Sequence, residues 1–181
     1  MNDELMYNRF LDGDDDALEE LIEKYGNALT LYIAGYTGNI HDAEDLMMDA
    51  FAYLVAKRPR IREGGFRPYL YKMARHYALR YLQKKRRHRE FSLEELEITP
   101  EAEKLTEEIA FTKERKEILH LCMEKLPADY REALYLVYFE EMSYKEAAAV
   151  MKKREKQLDN LVQRGKKQMR ALLEKEGIDH A

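Results

Sequence analysis

The chain has 181 residues and a formal charge of −4, with 36% charged residues, 10% aromatics and no Trp. That composition suits one large or two small helical domains with modest cores and a large wet surface. Cys122 is the only cysteine, which excludes an internal disulfide and a Cys-rich metal site. The polar, acidic start "MNDELMYNRF" is unlike a signal peptide. No apolar run approaches the roughly 20 residues of a membrane span. These features predict a soluble protein of a reducing cytoplasm.

In chain order, strand signals are nearly absent and the 3.6-residue period recurs. "GDDDALEELIEKYGNALTLYIAGYTGN" offers Asp caps, then apolar Ala17, Leu18, Leu21, Ile22 and Tyr25, with Gly26 as an interruption. Asp42 is the expected N-cap of the next helix, with Asp45 where a carboxylate suits a capping box. That helix turns Ala43, Leu46, Met47, Ala50, Phe51 and Leu54 inward. Pro59 and Gly64-Gly65 mark a loop.

The next segment, "RPYLYKMARHYALRYLQKKRRHR" (67–89), holds nine Lys or Arg and no carboxylate. On a helical wheel Leu70, Met73, Ala74, Tyr77, Ala78 and Tyr81 take one arc, and Lys72, Arg75, His76, Arg80 and Gln83 the opposite one. Tyr71, Tyr77 and Tyr81 suit packing better than stacking on bases. From Lys84 the bases fall on all sides. Residues 1–66 and 90–126 are by contrast acidic, with net charges of −8 and −6. A second cationic stretch runs from Lys152 to Arg170, eight bases against Glu155 and Asp159. Two basic surfaces in an acidic frame point to a polyanion touched twice.

Residues 90–112, "EFSLEELEITPEAEKLTEEIAFT", read as a flexible acidic linker. About 20 extended residues reach roughly 70 Å. Beyond it, "EILHLCMEKL" and "LPADYREALYLVYFEEM" are helical, and Cys122 falls on the apolar side of the first. Ser143 and Glu146 form a capping box opening an Ala-rich helix. A break near Lys152 leads to "EKQLDNLVQRGKKQMRALLEK", with Leu158, Leu161, Val162, Gly165, Met169 and Leu172 on its inner face. A short capped helix, a brief turn and a longer basic helix outline a helix-turn-helix, in which Ala147 and Ala148 permit close crossing.

Three motifs in order resemble the sigma-70 family of bacterial RNA polymerase sigma factors, in its compact extracytoplasmic-function (ECF) group. "DAEDLMMDAF" (Asp42 to Phe51) is similar to region 2.2, D-A-E-D-L-x-Q-E-x-F. "GGFRPYLYKMARHYALRYLQKKRR" (Gly64 to Arg87) is similar to regions 2.3 and 2.4, G-x-F-x-x-W-L-Y-x-I-A-x-N-x-x-x-D-x-x-R. "LPADYREALYLVYFEEMSYKEAAAVM" is similar to the start of region 4. The resemblance runs from about Leu5 to Leu173 and implies an all-α protein of two small helical domains. Residues 1–90 would form a region 2-like bundle and 91–112 the linker. Residues 113–181 would form a region 4-like helix-turn-helix.

The resemblance also implies a sigma factor that binds core RNA polymerase and directs promoter recognition and opening. Glu44, Asp45, Met48, Asp49 and Ala52 would dock on core polymerase, Met48 standing where the family has Gln. Phe66 and Tyr69 would lie near a captured base of the −10 element, with Lys72, Arg75, His76, Arg80, Lys84, Lys85, Arg86 and Arg87 on its phosphates. Tyr69 replaces a Trp and His76 an Asn. At the −35 element the carry-over falls on Arg154, Lys156, Gln157, Asn160, Gln163 and Arg164, with Lys166 and Lys167 toward phosphates. There the usual L-G-x-S-x-G-T-V-K-S-R-L reads "MKKREKQLDNLV". Lys152 replaces the turn Gly, Arg154 the capping Ser, and Asp159-Asn160-Leu161 the Lys-Ser-Arg triplet. Promoter DNA, duplex and melted, is the implied partner, an anti-sigma factor a further one, and no cofactor is implied.

Two other readings of the residues stay open and a third is set aside. A helix-turn-helix regulator acting without polymerase explains 127–173 but not the two earlier helices. A partner-sequestering helical protein needs no DNA contact. An enzyme lacks support: the five histidines are scattered, with no HExxH, Walker loop or nucleophile elbow. Asp12, Asp14, Asp15 and Asp16 fail the spacing of a calcium loop.

Overall fold

A computed structural model of the chain describes residues 3–91 and 113–177, and every described element is a helix or a turn. The chain divides into two compact units. The first holds α1 (Asp3–Leu11), α2 (Asp16–Thr37), α3 (Ile40–Lys57) and α4 (Phe66–Phe91). The second holds α5 (Lys113–Glu124), α6 (Ala128–Leu134), a π-helical turn over Tyr135–Phe139, α7 (Tyr144–Met151) and α8 (Glu155–Lys175). Apart from Phe91, which ends α4, the stretch read as a linker (91–112) lies outside the described residues.

The first unit is a bundle in which α2 packs on α1, α3 and α4. Its apolar stripes meet in a core of Tyr7, Phe10, Leu21, Leu29, Ile33, Phe51, Leu54, Phe66, Leu70 and Tyr71, all essentially without solvent contact. Gly26 does not interrupt α2, which runs unbroken for 22 residues. A glycine inside a helix costs about 1 kcal/mol, and burial of Tyr25, Leu29 and Ile33 on the same helix outweighs that. Gly38, at φ 67°, ends α2 in the left-handed conformation, where a missing Cβ removes the strain.

The N-cap of α3 is Asn39, not Asp42. The Asn39 side chain accepts from the backbone N–H groups of His41 and Asp42, at 2.9 and 3.1 Å. Asn caps as well as Asp does, and the chain has already turned at Gly38, so the helix starts earlier than expected. Asp42 is thereby released for a tertiary contact. The Asp15 side chain likewise makes no capping hydrogen bond to α2.

In the second unit α8 packs on α5, α6 and α7. Cys122, Leu126, Ala133, Leu136, Val150, Leu158 and Val162 are buried, as are Ala147 and Ala148 where α7 meets α8. At Gly165 a Cβ would come within 3.3 Å of Leu134 and Tyr130, so the missing side chain sets how closely α8 approaches α6. Leu161 and Leu172 depart from the expected inner face and are only half-buried. The Leu158–Val162–Gly165–Met169 row already fills the seam, which leaves Leu161 at its edge.

Lys152 ends α7 at φ 54°, with its N–H bonded to Ala148 and Ala149. A left-handed residue bearing a Cβ costs about 1–2 kcal/mol, and glycine does not incur that cost. Lys152→Gly is therefore expected to stabilise the second unit by about 1 kcal/mol, read as a higher urea midpoint. An unchanged or lower midpoint would show that the turn is not strained.

Candidate nucleic-acid interface

Helix α4 sorts its side chains by the period read from the sequence. Leu70, Tyr71, Ala74 and Ala78 are buried, and Met73, Tyr77 and Tyr81 are half-buried at the margin. Lys72, His76, Arg80, Lys84, Arg86 and Arg87 are exposed, while Arg75 and Lys85 are half-buried. The exposed cations therefore share one helix with a hydrophobic anchor, and the anchor fixes which way they point.

Two of the expected DNA-contacting residues are placed differently. Phe66 is 0% exposed, with its ring 5.1 Å from that of Tyr7 and 6.0 Å from that of Tyr25. It is a core residue and cannot receive a base. Its position at the first turn of α4 faces α1 and α2 rather than the loop. Lys85 donates to the Tyr81 hydroxyl at 3.0 Å and lies 5.2 Å over its ring. Tyr81 in turn donates to Asp42 at 2.5 Å, so this chain ties α4 to α3. Burial raises the Tyr81 pKa first, and the hydrogen bond to Asp42 adds to it.

Tyr69 is half-buried. Its pKa is raised chiefly by burial, then by Tyr53, with Tyr77 adding to it. Tyr77 is raised by burial and then by Asp49. Tyr53, Tyr69 and Tyr77 thus line the α3–α4 seam beside the cations. The sequence reading missed Tyr53. Its signal was an aromatic four residues after Asp49, off the apolar stripe of α3.

On the outer side of α3, Glu44, Asp45, Met48, Asp49 and Ala52 are all exposed. Met48 is 53% exposed and Val55, two turns further on, 44%. Positions 48, 52 and 55 share a helix face, so an apolar strip runs between carboxylates. Val55 was also missed, because an exposed valine cannot be told from a core one by type alone.

Helices α7 and α8, joined by Lys152, Lys153 and Arg154, form the helix-turn-helix. Ser143 caps α7 with Glu146 as reciprocal partner, as expected. On α8, Lys156, Gln157, Asn160, Gln163, Arg164, Lys166 and Lys167 are exposed, as is Arg154 at its N-cap. A shallow groove of about 240 Å³ is lined by Lys153, Gln157, Asn160, Leu161 and Arg164. Four of these recur at the i, i+3, i+4, i+7 spacing of one helix face. Around it, Lys153 pairs with Asp129 at 3.1 Å, and Gln163 donates to Asp159 at 3.4 Å. Lys166 lies 5.5 Å over the Tyr138 ring. Among the described residues no group of three or more His, Cys, Asp or Glu could hold a metal ion. No described helix is long and apolar enough to cross a membrane.

Comparison with known proteins bears on both units. The family model "Sigma-70 region 2" matches residues 21–88 and "Sigma-70, region 4" matches residues 116–169, together well over half of the chain. The ECF RNA polymerase sigma factor SigM of Bacillus subtilis (strain 168) is 28% identical over 155 residues, covering 86% of this chain and 94% of SigM. The ECF RNA polymerase sigma factor SigE of Mycolicibacterium smegmatis is 25% identical over 164 residues. That match covers 90% of this chain and 64% of SigE. The sigma factor RpoE of Bartonella quintana, solved in complex with the anti-sigma factor NepR, has a similar fold, with a TM-score of 0.67 and 22% identity. It covers 86% of this chain and 96% of the RpoE chain. With region 2 and region 4 present in that order, the chain belongs to the sigma-70 family, in its extracytoplasmic-function group of RNA polymerase sigma factors.

Proposed function

We propose that this sigma factor, whose family role is to bind core RNA polymerase and direct promoter recognition and opening, divides that role among three surfaces. The face of α3 carrying Glu44, Asp45, Met48, Asp49 and Ala52, extended by Val55, docks on core polymerase. The basic side of α4, with Lys72, Arg75, His76, Arg80, Lys84, Arg86 and Arg87, holds the phosphates of the opened −10 strand, and Tyr69 lies beside it. Helix α8 enters the −35 major groove, with Arg154, Gln157, Asn160 and Arg164 toward bases and Lys156, Lys166 and Lys167 toward phosphates.

The observation that carries this reading is the two-sided build of α4. Its buried side is locked into the bundle, while the other side presents cations in an otherwise acidic unit. Melting a promoter requires unstacked bases to be held, and a cationic groove with neighbouring aromatics does that without reading sequence. A regulator acting without polymerase has no use for an apolar strip between carboxylates on α3. The polymerase performs the chemistry in the cytoplasm and this chain catalyses no step. An anti-sigma factor that holds the chain inactive belongs to the same proposal.

Run-off transcription with core polymerase tests the whole reading. For the docking face, the double substitution Met48→Asp with Asp49→Lys is expected to weaken retention by core polymerase about 30-fold, the size of a central interface residue. Co-elution with core polymerase on a sizing column reads it, with the fold checked by circular dichroism. Unchanged co-elution would remove the docking role from α3.

A further inference from the structure

Helix α8 begins with an unusual cap. Its N-cap is Arg154, whose guanidinium has donors only and cannot satisfy the free N–H groups of the first turn. The third residue of the helix supplies what can be supplied: the Gln157 side-chain oxygen accepts from the Arg154 backbone N–H at 2.8 Å. Of the two ends of the Gln157 amide only the oxygen can accept, so chemistry fixes which end faces the backbone. The Gln157 NH₂ group is left for other partners, on an exposed side chain that lines the groove shared by Asn160, Leu161 and Arg164. Recognition helices touch base edges with their N-terminal residues, and Gln157 stands there.

We propose that Gln157 reads through its amide donors and selects guanine in the upstream promoter element, a statement that rests on α8 being the −35 reading helix. A free glutamine pairs with adenine by accepting from N6 and donating to N7. In this chain the oxygen, though it keeps a second lone pair, is turned to the Arg154 N–H, so the NH₂ end is the one turned away from the backbone. Guanine, with N7 and O6 both acceptors in the major groove, is the base that two amide hydrogens satisfy. Cap and specificity are therefore set by the same side chain.

Gln157→Glu separates the two roles. Glutamate at this position caps at least as well, so the variant should melt no lower than the parent. Its second oxygen faces outward as an acceptor, which suits cytosine N4. Holoenzyme assembled from core polymerase and either protein would be used to select from duplexes randomised across the upstream element. The parent is expected to enrich guanine at one position about ten-fold, and Gln157→Glu to replace it there with cytosine on the same strand. Lys156→Gln, which changes the charge by the same amount, is expected to weaken all sequences alike. Adenine at that position, or a Gln157→Glu selection with the same bases at lower yield, overturns the proposal and leaves Gln157 a cap. A parent holoenzyme that starts RNA yet enriches no upstream base overturns the −35 role of α8, and this proposal with it.

Discussion

Replacing Phe66 with Ala is expected to destabilise the first unit by about 3–5 kcal/mol, most of what a small domain has. Phe66 has no solvent contact and touches two tyrosines that are themselves tied down. The Tyr7 hydroxyl donates to the Pro59 carbonyl at 2.8 Å, and Tyr25 donates to Asp3 at 2.6 Å. The Phe66 N–H reaches Glu4 at 3.4 Å. Removing the ring therefore opens a void where α1, α2 and α4 converge, and urea unfolding followed by circular dichroism reads the loss. Tyr69→Ala is the control: its half-buried ring should cost far less stability while impairing promoter opening. A Phe66→Ala protein that unfolds at the parent's midpoint yet fails to open promoters would return Phe66 to the DNA surface.

The second large effect concerns charge alone. Lys72, Arg80, Lys84 and Arg87 are all exposed on α4, so changing them to Ala leaves the core untouched. Each lost contact with a single-strand phosphate lowers the slope of log affinity against log salt by about 0.7, so four lower it by about 3. At 0.1 M salt that corresponds to a loss on the order of a few hundred-fold in binding the opened strand. The quadruple variant should still co-elute with core polymerase, since the α3 face is intact. Potassium permanganate footprinting across a salt series reads the opening. A salt slope equal to the parent's would take the phosphates away from α4.

Secondary structure and the cationic arc were legible because both follow from spacing along one helix. Period alone places Lys72, His76 and Arg80 opposite Leu70, Ala74 and Ala78. The pairing of Ser143 with Glu146 was legible for the same reason, since both members lie within one turn. What the sequence did not disclose depends on partners far along the chain. Phe66 is as apt for stacking on a base as for packing, and only the arrival of Tyr7 and Tyr25 decides the matter. Asp42 and Asn39 are equivalent as caps, and the choice turned on where Gly38 reversed the chain. Leu161 was assigned to the core by type, but the seam between α6 and α8 was already full. The π-helical turn at Tyr135–Phe139 had no local signature. Tyr135 is pushed well above the usual phenol range, first by burial and then by Glu140, a pairing that depends on how the turn folds back.

Cys122 sits at the heart of the second unit with 0% exposure, and burial, the first cause, holds its thiol above the ordinary range. A thiol kept protonated and out of reach is a poor nucleophile at neutral pH, so peroxide and alkylating reagents should leave Cys122 unmarked in the folded chain. Oxidative stress therefore has no direct purchase on this sulfur. A redox cue that altered its transcription would have to be registered elsewhere than at this thiol.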